Sequence, residues 1–270
     1  MFSQDRNAII MAAGQGTRLR PLTETQPKPL VPVNGVPILE YTLQALELGG
    51  ITDVSIVTGY KSEKIHNYIA ARDNSATIRI VNNDDYLTTN NIWSLHLVSD
   101  QIRNGTTIID GDVLVSPSII AEFNRVPDSS SFLIGVDRTH RERGAYAKIA
   151  GQYIVGIEIA DSPENEEPGT LLKTTSIYRV HSYAAADALR NRIRHFINND
   201  RLSAFYEQAI DDVLRTGLTG HAVECSSHLW WEIDTPDDLE NATRLVLQSQ
   251  TASDTAHQAG AEQHNSGDER

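Results

Sequence analysis

The run Ala8-Ile-Ile-Met-Ala-Ala13 passes straight into Gly14-Gln-Gly-Thr-Arg18, and that junction constrains the fold more than any other stretch of the chain. Ile9, Ile10 and Met11 read as a buried strand that opens into a small, flexible loop. Gly14 and Gly16 let the backbone approach a polyanion closely, with successive N–H groups aimed at phosphate oxygens. Arg18 follows as a permanent cation. Lys28 stands between Pro27 and Pro29, which hold its backbone extended and fix the direction of its ammonium group. The combination reads as a cradle for a nucleoside triphosphate; the bland alternative is a strand-to-helix turn that uses glycine merely to turn. The loop lacks the Gly-Lys-Ser/Thr ending of a Walker A motif. Leu19 stands where a dinucleotide fingerprint needs its third glycine.

A chain of 270 residues is one or at most two domains, long enough for a sizeable core. The formal net charge of −13 argues against non-specific nucleic-acid binding, which relies on a basic face. It leaves room for an anionic small substrate held by a local group of Arg and Lys. The single cysteine, Cys225, excludes an intrachain disulfide and a Cys-rich zinc site. No apolar run approaches membrane length and no secretory signal is visible, so a cytoplasmic protein without membrane contact is the expectation. A homodimer remains open, since no apolar surface stripe stands out.

Short β-branched runs alternate with helical patterns, the mark of an α/β sheet. Strands are expected at 54–57, 78–81 and 106–109, with helices over 38–48, 63–71 and 92–102. This first half reads as a doubly wound sheet, whose ligand crevice lies at the carboxyl ends of the strands. From residue 131 the pattern changes. Strands at 132–136, 147–149, 153–155, 176–180 and 222–225 extend the sheet, a longer acidic loop covers 161–169, and helices cover 184–197, 204–214 and 237–247. The expected organisation is one domain over 1–248, with a nucleotide-binding half at about 7–130 and an acceptor-binding half at about 131–248. Residues 249–270 contain no aromatic residue and no Val, Ile or Leu, the composition of a disordered tail.

Asp110 and Asp112 bracket Gly111 directly after a buried strand. Such carboxylates repel each other unless a cation lies beside them. Glu232 and Asp234 form a second acidic pair before Pro236. Few, hard oxygen ligands suit Mg²⁺ that completes its shell with water and substrate phosphates. The competing readings are a turn for the first pair and helix capping for the second.

The motifs Ala12-Ala-Gly-x-Gly-Thr-Arg-Leu-x-Pro21, Pro27-Lys-Pro29, Gly111-Asp112 and Asp234-Thr-Pro236 resemble those of the nucleoside-triphosphate transferase family of sugar nucleotidyltransferases. Asp85-Tyr-Leu-Thr-Thr-Asn-Asn-Ile-Trp-Ser-Leu95 and Trp231-Glu-Ile-Asp-Thr-Pro-Asp-Asp-Leu239 resemble the narrower branch of cytidylyltransferases for choline phosphate and small phosphonates. The resemblance runs from about residue 7 to residue 247. It implies a Rossmann-like, doubly wound mixed sheet of the nucleotidyltransferase type, extended by a second half that forms the acceptor pocket. It also implies that Ala12, Ala13, Gly14, Gly16 and Thr17, with Arg18, hold the triphosphate of CTP, and that Lys28 contacts the α-phosphate. Gly59, Tyr60, Asn83, Thr89, Asn90 and Ser94 would line the base and ribose pocket, amide side chains supplying both donor and acceptor to a cytosine edge. Asp112 and Asp234 would hold Mg²⁺, with Asp110 and Glu232 as further ligands or their supports.

No general base is demanded, because a phosphate or phosphonate dianion is already a nucleophile near neutral pH. In-line attack on the α-phosphorus of CTP would release pyrophosphate. The acceptor side is assigned to Tyr146, Lys148, Tyr178, Arg179 and Trp231. Ala145 stands where the choline branch often carries tryptophan, and Arg179 near where it can carry an acid. With Arg138, Arg141, Arg143 and Lys173 also in this half, the expected acceptor is a small anionic phosphonate such as phosphonoformate or a hydroxyalkylphosphonate. Next come 2-aminoethylphosphonate and phosphocholine. A sugar-1-phosphate nucleotidyltransferase and a non-catalytic nucleotide sensor of the same fold are the rival readings.

Overall fold

The computed structural model describes residues 6–73, 75–127, 130–140, 142–160 and 169–265. Arg141, residues 161–168 of the acidic loop and residues 266–270 of the tail lie outside the described residues. The first half runs β1 (Asn7–Ala12), α1 (Leu22–Thr25), a small hairpin of β2 (Pro32–Val33) and β3 (Val36–Pro37), α2 (Ile38–Leu48), β4 (Asp53–Thr58), α3 (Ser62–Ala71), β5 (Thr77–Asn82), α4 (Asn91–His96), β6 (Thr107–Asp110), β7 (Val113–Val115) and α5 (Pro117–Arg125). The second half runs β8 (Phe132–Asp137), β9 (Gly144–Ala150), β10 (Tyr153–Ala160), β11 (Leu171–Val180), α6 (Tyr183–Asn198), α7 (Tyr206–Leu214), β12 (Gly220–Glu224), β13 (Trp230–Glu232) and α8 (Pro236–Asn265).

One sheet of nine strands, in the order β5-β4-β1-β6-β11-β8-β12-β10-β9, carries both halves. The parallel group β5-β4-β1-β6 forms the first half. All six residues of β1 are buried, as a strand covered on both faces requires. Its alternation sorts them: Ile9 and Met11 join one core with α4, α6 and α7, while Ala8, Ile10 and Ala12 join a second core with α2, α3 and α5. β11 then enters antiparallel between β6 and β8, turning a parallel sheet into the mixed one expected.

The far end of the sheet curls back. β9 pairs with β10 along one edge and with the start of β11 along the other, placing Tyr146 opposite Lys173. The expected helix over 92–102 is shorter: α4 ends at His96, and Ser99–Gln101 form a single 3₁₀ turn.

Past the expected helix end at about residue 247, α8 continues to Asn265. This stretch is free of proline and rich in Ala and Gln, good helix formers whatever their polarity. The beginning of α8 packs: Ala242 and Val246 bury against Leu19, Val31, Val33, Ile38, Leu114 and Ile233 in a third core. Ending the chain after Thr251 is therefore expected to leave the urea midpoint unchanged. Ala242→Asp, which buries an unpaired carboxylate, is expected to cost at least about 2 kcal/mol. Urea unfolding of both variants checks this.

Candidate active site

The phosphate loop is held by contacts that leave little choice of residue. Gly16 has φ 62°, and a Cβ there would lie 2.9 Å from the Cβ of Lys28. Both the backbone conformation and the space therefore demand glycine. The Thr23 hydroxyl donates to the Gly16 carbonyl at 2.8 Å and pins the loop from behind. Thr17–Leu19 form a 3₁₀ turn that buries Leu19 and sends Arg18 outward, its side chain 62% exposed. Gly59 and Tyr60 close the opposite side: Tyr60 donates its N–H to the Ala13 carbonyl at 3.1 Å and its hydroxyl to the Thr23 carbonyl at 2.9 Å.

Lys28 is nearly buried, and its Nζ donates to Asp112 Oδ2 at 2.7 Å and to Asp234 Oδ1 at 2.6 Å. Arg18 reaches the same Asp234 oxygen at 2.8 Å. Burial pushes the Lys28 ammonium down, and the two carboxylates more than offset it, holding Lys28 above its ordinary range. Burial likewise pushes Asp234 up, but Lys28 and Arg18 outweigh it and hold the carboxyl below its usual value.

A two-strand ladder brings the distant acidic pairs together. β7 pairs antiparallel with β13, Val113 opposite Glu232, and the Ile233 N–H donates to the Asp112 carbonyl at 3.0 Å. On the other side of Asp112, Gly111 crosses directly over β1. Its N–H donates to the Met11 carbonyl at 2.8 Å, and a Cβ there would lie 2.7 Å from that carbonyl oxygen. A tight crossing and a short ladder thus set Asp112 and Asp234 around one point.

Of the four expected metal residues, Asp110 and Glu232, expected as further ligands or their supports, each have a partner within the protein. Asp110 is half-buried at the end of β6 and accepts from the Tyr206 hydroxyl at 2.9 Å; burial first, then the charges of Glu207 and Asp112, push its carboxyl well above the usual range. Glu232 is taken by Lys173, whose Nζ lies 2.8 Å from Oε2. Among the described residues no group of three or more His, Cys, Asp or Glu is disposed to hold a metal ion. Asp112 and Asp234 still fit Mg²⁺ that relies on water and phosphate for the rest of its shell. Asp112 Oδ1 is a buried oxygen without a hydrogen-bond partner, the vacancy a hard cation would fill.

An open cleft of about 680 Å³ lies against these groups. Of the expected nucleotide-binding residues, Ala12, Ala13, Gly14, Lys28, Asn83, Thr89, Asn90 and Ser94 line it, together with Asp110 and Asp112. Gly16, Thr17, Arg18, Gly59 and Tyr60 lie outside its lining, on the loop and behind it. Asn83 is buried; its amide donates to Ser94 Oγ at 2.9 Å, and its carbonyl oxygen accepts the Asp85 N–H at 2.9 Å. Asn90 caps α4 by accepting the Asn91 N–H at 2.7 Å. Tyr86 and Asn91, not among the expected residues, also line the cleft.

The expected acceptor side is reorganised. Tyr146 and Tyr178 are fully buried: Tyr146 donates to the Glu142 carbonyl at 2.5 Å, and the Tyr178 ring meets that of Tyr206 edge-on at 5.7 Å. Arg179 lies on the opposite face of β11. It donates to Thr107 Oγ1 and Asn124 Oδ1, both at 2.9 Å, and its guanidinium lies over the Phe123 ring. Burial, with Arg6 nearby, pushes it down to about 9. The period of two along a strand explains the correction, since Tyr178 and Arg179 cannot share a face. Lys148 pairs with Glu158 on the adjacent strand, and Arg138 with Glu224. Trp231 packs against the third core and the His140 ring.

What the sequence reading missed is Glu207. It is buried on α7, accepts from the Asn91 amide at 3.4 Å, and is pushed up to about 7, chiefly by burial and then by the Glu232 charge, against the pull of Asn91 and Lys173. The signal was available: Glu207 sits three residues before Ile210 on an apolar helix face, where an acid is out of place.

The sequence and the fold have counterparts among known proteins. Over 242 residues the chain is 27% identical to CMP-5'-(3-aminopropyl)phosphonate synthase of Streptomyces rubellomurinus, covering 87% of this chain and 38% of that protein. Over 115 residues it is 40% identical to 2-aminoethylphosphonate cytidylyltransferase of Lancefieldella rimae, covering 42% of this chain and 46% of that protein. The matched region is thus less than half the length of these relatives. The solved structure of CTP:phosphocholine cytidylyltransferase from Streptococcus pneumoniae superposes with a TM-score of 0.74 at 24% identity, over 89% of this chain and 98% of that one. The nucleotidyl transferase family model matches residues 7–249, and the chain belongs to that family.

Proposed function

We propose that the chain transfers a cytidylyl group from CTP to a small phosphonate or phosphomonoester, releasing pyrophosphate. The observation that carries this is the convergence of the glycine loop, Lys28 and two carboxylates distant in sequence on one cleft. The Asn83–Ser94 pair on the far wall supplies polar atoms for a base, and relatives named for cytidylyl transfer support cytosine.

In this reading the N–H groups of the loop from Ala13 to Gly16 hold the β- and γ-phosphates. Arg18, exposed and paired with Asp234 at the rim, turns from that carboxylate to close over them. Lys28 donates to the α-phosphate, neutralising charge that builds as an acceptor oxygen attacks. The new bond joins that oxygen to the α-phosphorus, the bond to the bridging oxygen breaks, and its electron pair leaves with pyrophosphate. Asp112 and Asp234 would hold Mg²⁺, which when bound supplies Lewis-acid stabilisation of the phosphate oxygens.

For the acceptor, the anionic preference loses its footing. Arg179 faces away, Lys148 and Arg138 are paired with acids, and Lys173 is paired with Glu232. Glu232 pairs with Lys173 instead, and the buried Glu207, bonded to Asn91 of the cleft, feels the charge of the same lysine. We therefore favour an acceptor with an amine or ammonium end directed toward Glu207, which the names of the two relatives also support.

With Mg²⁺ present, pyrophosphate release is expected to be faster with CTP than with UTP, ATP or GTP, and faster with 2-aminoethylphosphonate than with phosphonoformate. Equal or reversed acceptor rates in a coupled pyrophosphate assay would return the choice to an anionic substrate. Lys28→Ala is expected to lower kcat by about 10²–10³-fold, on the scale of a lost transition-state donor, with the fold intact by circular dichroism.

Glu207 carries a stability consequence. Its proton is held to about pH 7 in the folded protein and released near 4.5 when unfolded, so its contribution is full below about 4.5 and lost as pH rises through 7. Glu207→Gln is accordingly expected to raise unfolding free energy by on the order of 1–3 kcal/mol at pH 8 and to change it little at pH 4.5. The same variant should raise KM for 2-aminoethylphosphonate more than for phosphonoformate.

A further inference from the structure

The carboxylates that fit a metal ion already hold a cation that belongs to the chain. The Lys28 ammonium stands between Asp112 Oδ2 and Asp234 Oδ1 at 2.7 and 2.6 Å, and Arg18 adds a third contact to the same Asp234 oxygen. The stem of Lys28 is buried, and its backbone is fixed between two prolines in a 3₁₀ turn. Only its terminal rotations can redirect the charge. Asp112 Oδ1 meanwhile has no partner, so the lysine answers part of what these carboxylates demand. A divalent ion arriving alone would have to share oxygens with an ammonium in a poorly solvated site, where like charges repel strongly. A triphosphate changes that balance, because it offers the ammonium an anionic destination within reach of the same side chain.

We propose that Lys28 is the resident counter-ion of Asp112 and Asp234, keeping the divalent-metal position closed until a triphosphate draws its ammonium away. This rests on the reading of Asp112 and Asp234 as the metal-holding pair. Metal and nucleotide then bind with positive coupling, each strengthening the other by the same factor. Between turnovers Lys28 offsets part of the charge of the two carboxylates, and a metal ion without nucleotide gains little. Arg18 contributes less to this closure, because its guanidinium is largely in solvent and its pairing is screened.

The test uses the full chain and Mn²⁺ alone, with free Mn²⁺ followed by electron paramagnetic resonance. Wild-type protein is expected to bind Mn²⁺ weakly. Lys28→Met, which keeps the stem and removes the charge, is expected to bind at least about tenfold more tightly, a size typical of coupling between sites. That gain should vanish when Asp112→Asn is added. Mn²⁺ affinity in Lys28→Met equal to or below that of wild type, or a gain that survives Asp112→Asn, would overturn the proposal. Should Lys28→Met fold poorly, Lys28→Gln is read by thermal unfolding: Mn²⁺ should raise its midpoint while leaving wild type unmoved, and equal shifts in both would sink the idea. The titration contains neither nucleotide nor acceptor. A failure of cytidylyl transfer beside a tenfold Mn²⁺ effect would therefore fault the proposed activity alone.

Discussion

The ion cluster of Lys28, Asp112 and Asp234 is the contact on which the rest of the site depends. Lys28 and Asp234 are 206 residues apart in sequence, and Lys28 and Asp112 are 84 apart. Each arrives by a different route: Lys28 from a proline-framed turn, Asp112 from the glycine crossing over β1, and Asp234 from the ladder of β7 and β13. Removing one member leaves a charge in a half-buried setting without its partner, which is far costlier than losing an exposed pair. The cluster thus ties the phosphate loop, the end of the parallel sheet and the start of α8 into one unit.

Around it the protein accepts unfavourable electrostatics. The charges of Glu207 and Glu232 push Asp110 up, Glu232 pushes Glu207 up, and Lys173 draws Glu207 and Glu232 down. The curled sheet makes this arrangement possible, because β9 returns to β11 and encloses Lys173 opposite Tyr146. Acids crowded beyond what packing needs are a feature of places that recognise charge. Here Asp110 lines the cleft beside the phosphate loop, and Asn91 of the same cleft donates to Glu207.

Much of this was legible in the residues, for identifiable reasons. β1 announced itself because a central parallel strand is apolar at every position, and Gly16 because nothing else fits its φ and its contact with Lys28. The acidic pairs were visible as strand ends, but their partners were not. Lys28 meets Asp234 only through tertiary routes that no local pattern encodes. Strand alternation excludes Tyr178 and Arg179 from sharing a face, yet it does not say which face meets the cleft; the structure turns Arg179 to the far side. β7 and β13 are three residues each, too short to stand out, although their pairing joins the two acidic ends. Polar composition hid the helix of 249–265, because helix propensity and hydrophobicity are separate properties.

A double-mutant cycle between Lys28 and Asp234 measures whether one cluster energetically joins these distant segments. Urea unfolding of wild type, Lys28→Met, Asp234→Asn and the double variant supplies the four free energies. A coupling of about 1–3 kcal/mol is the predicted result, because removing both partners leaves no stranded charge between them. Losses that add to within about 0.3–0.5 kcal/mol would show two independent residues and contradict it.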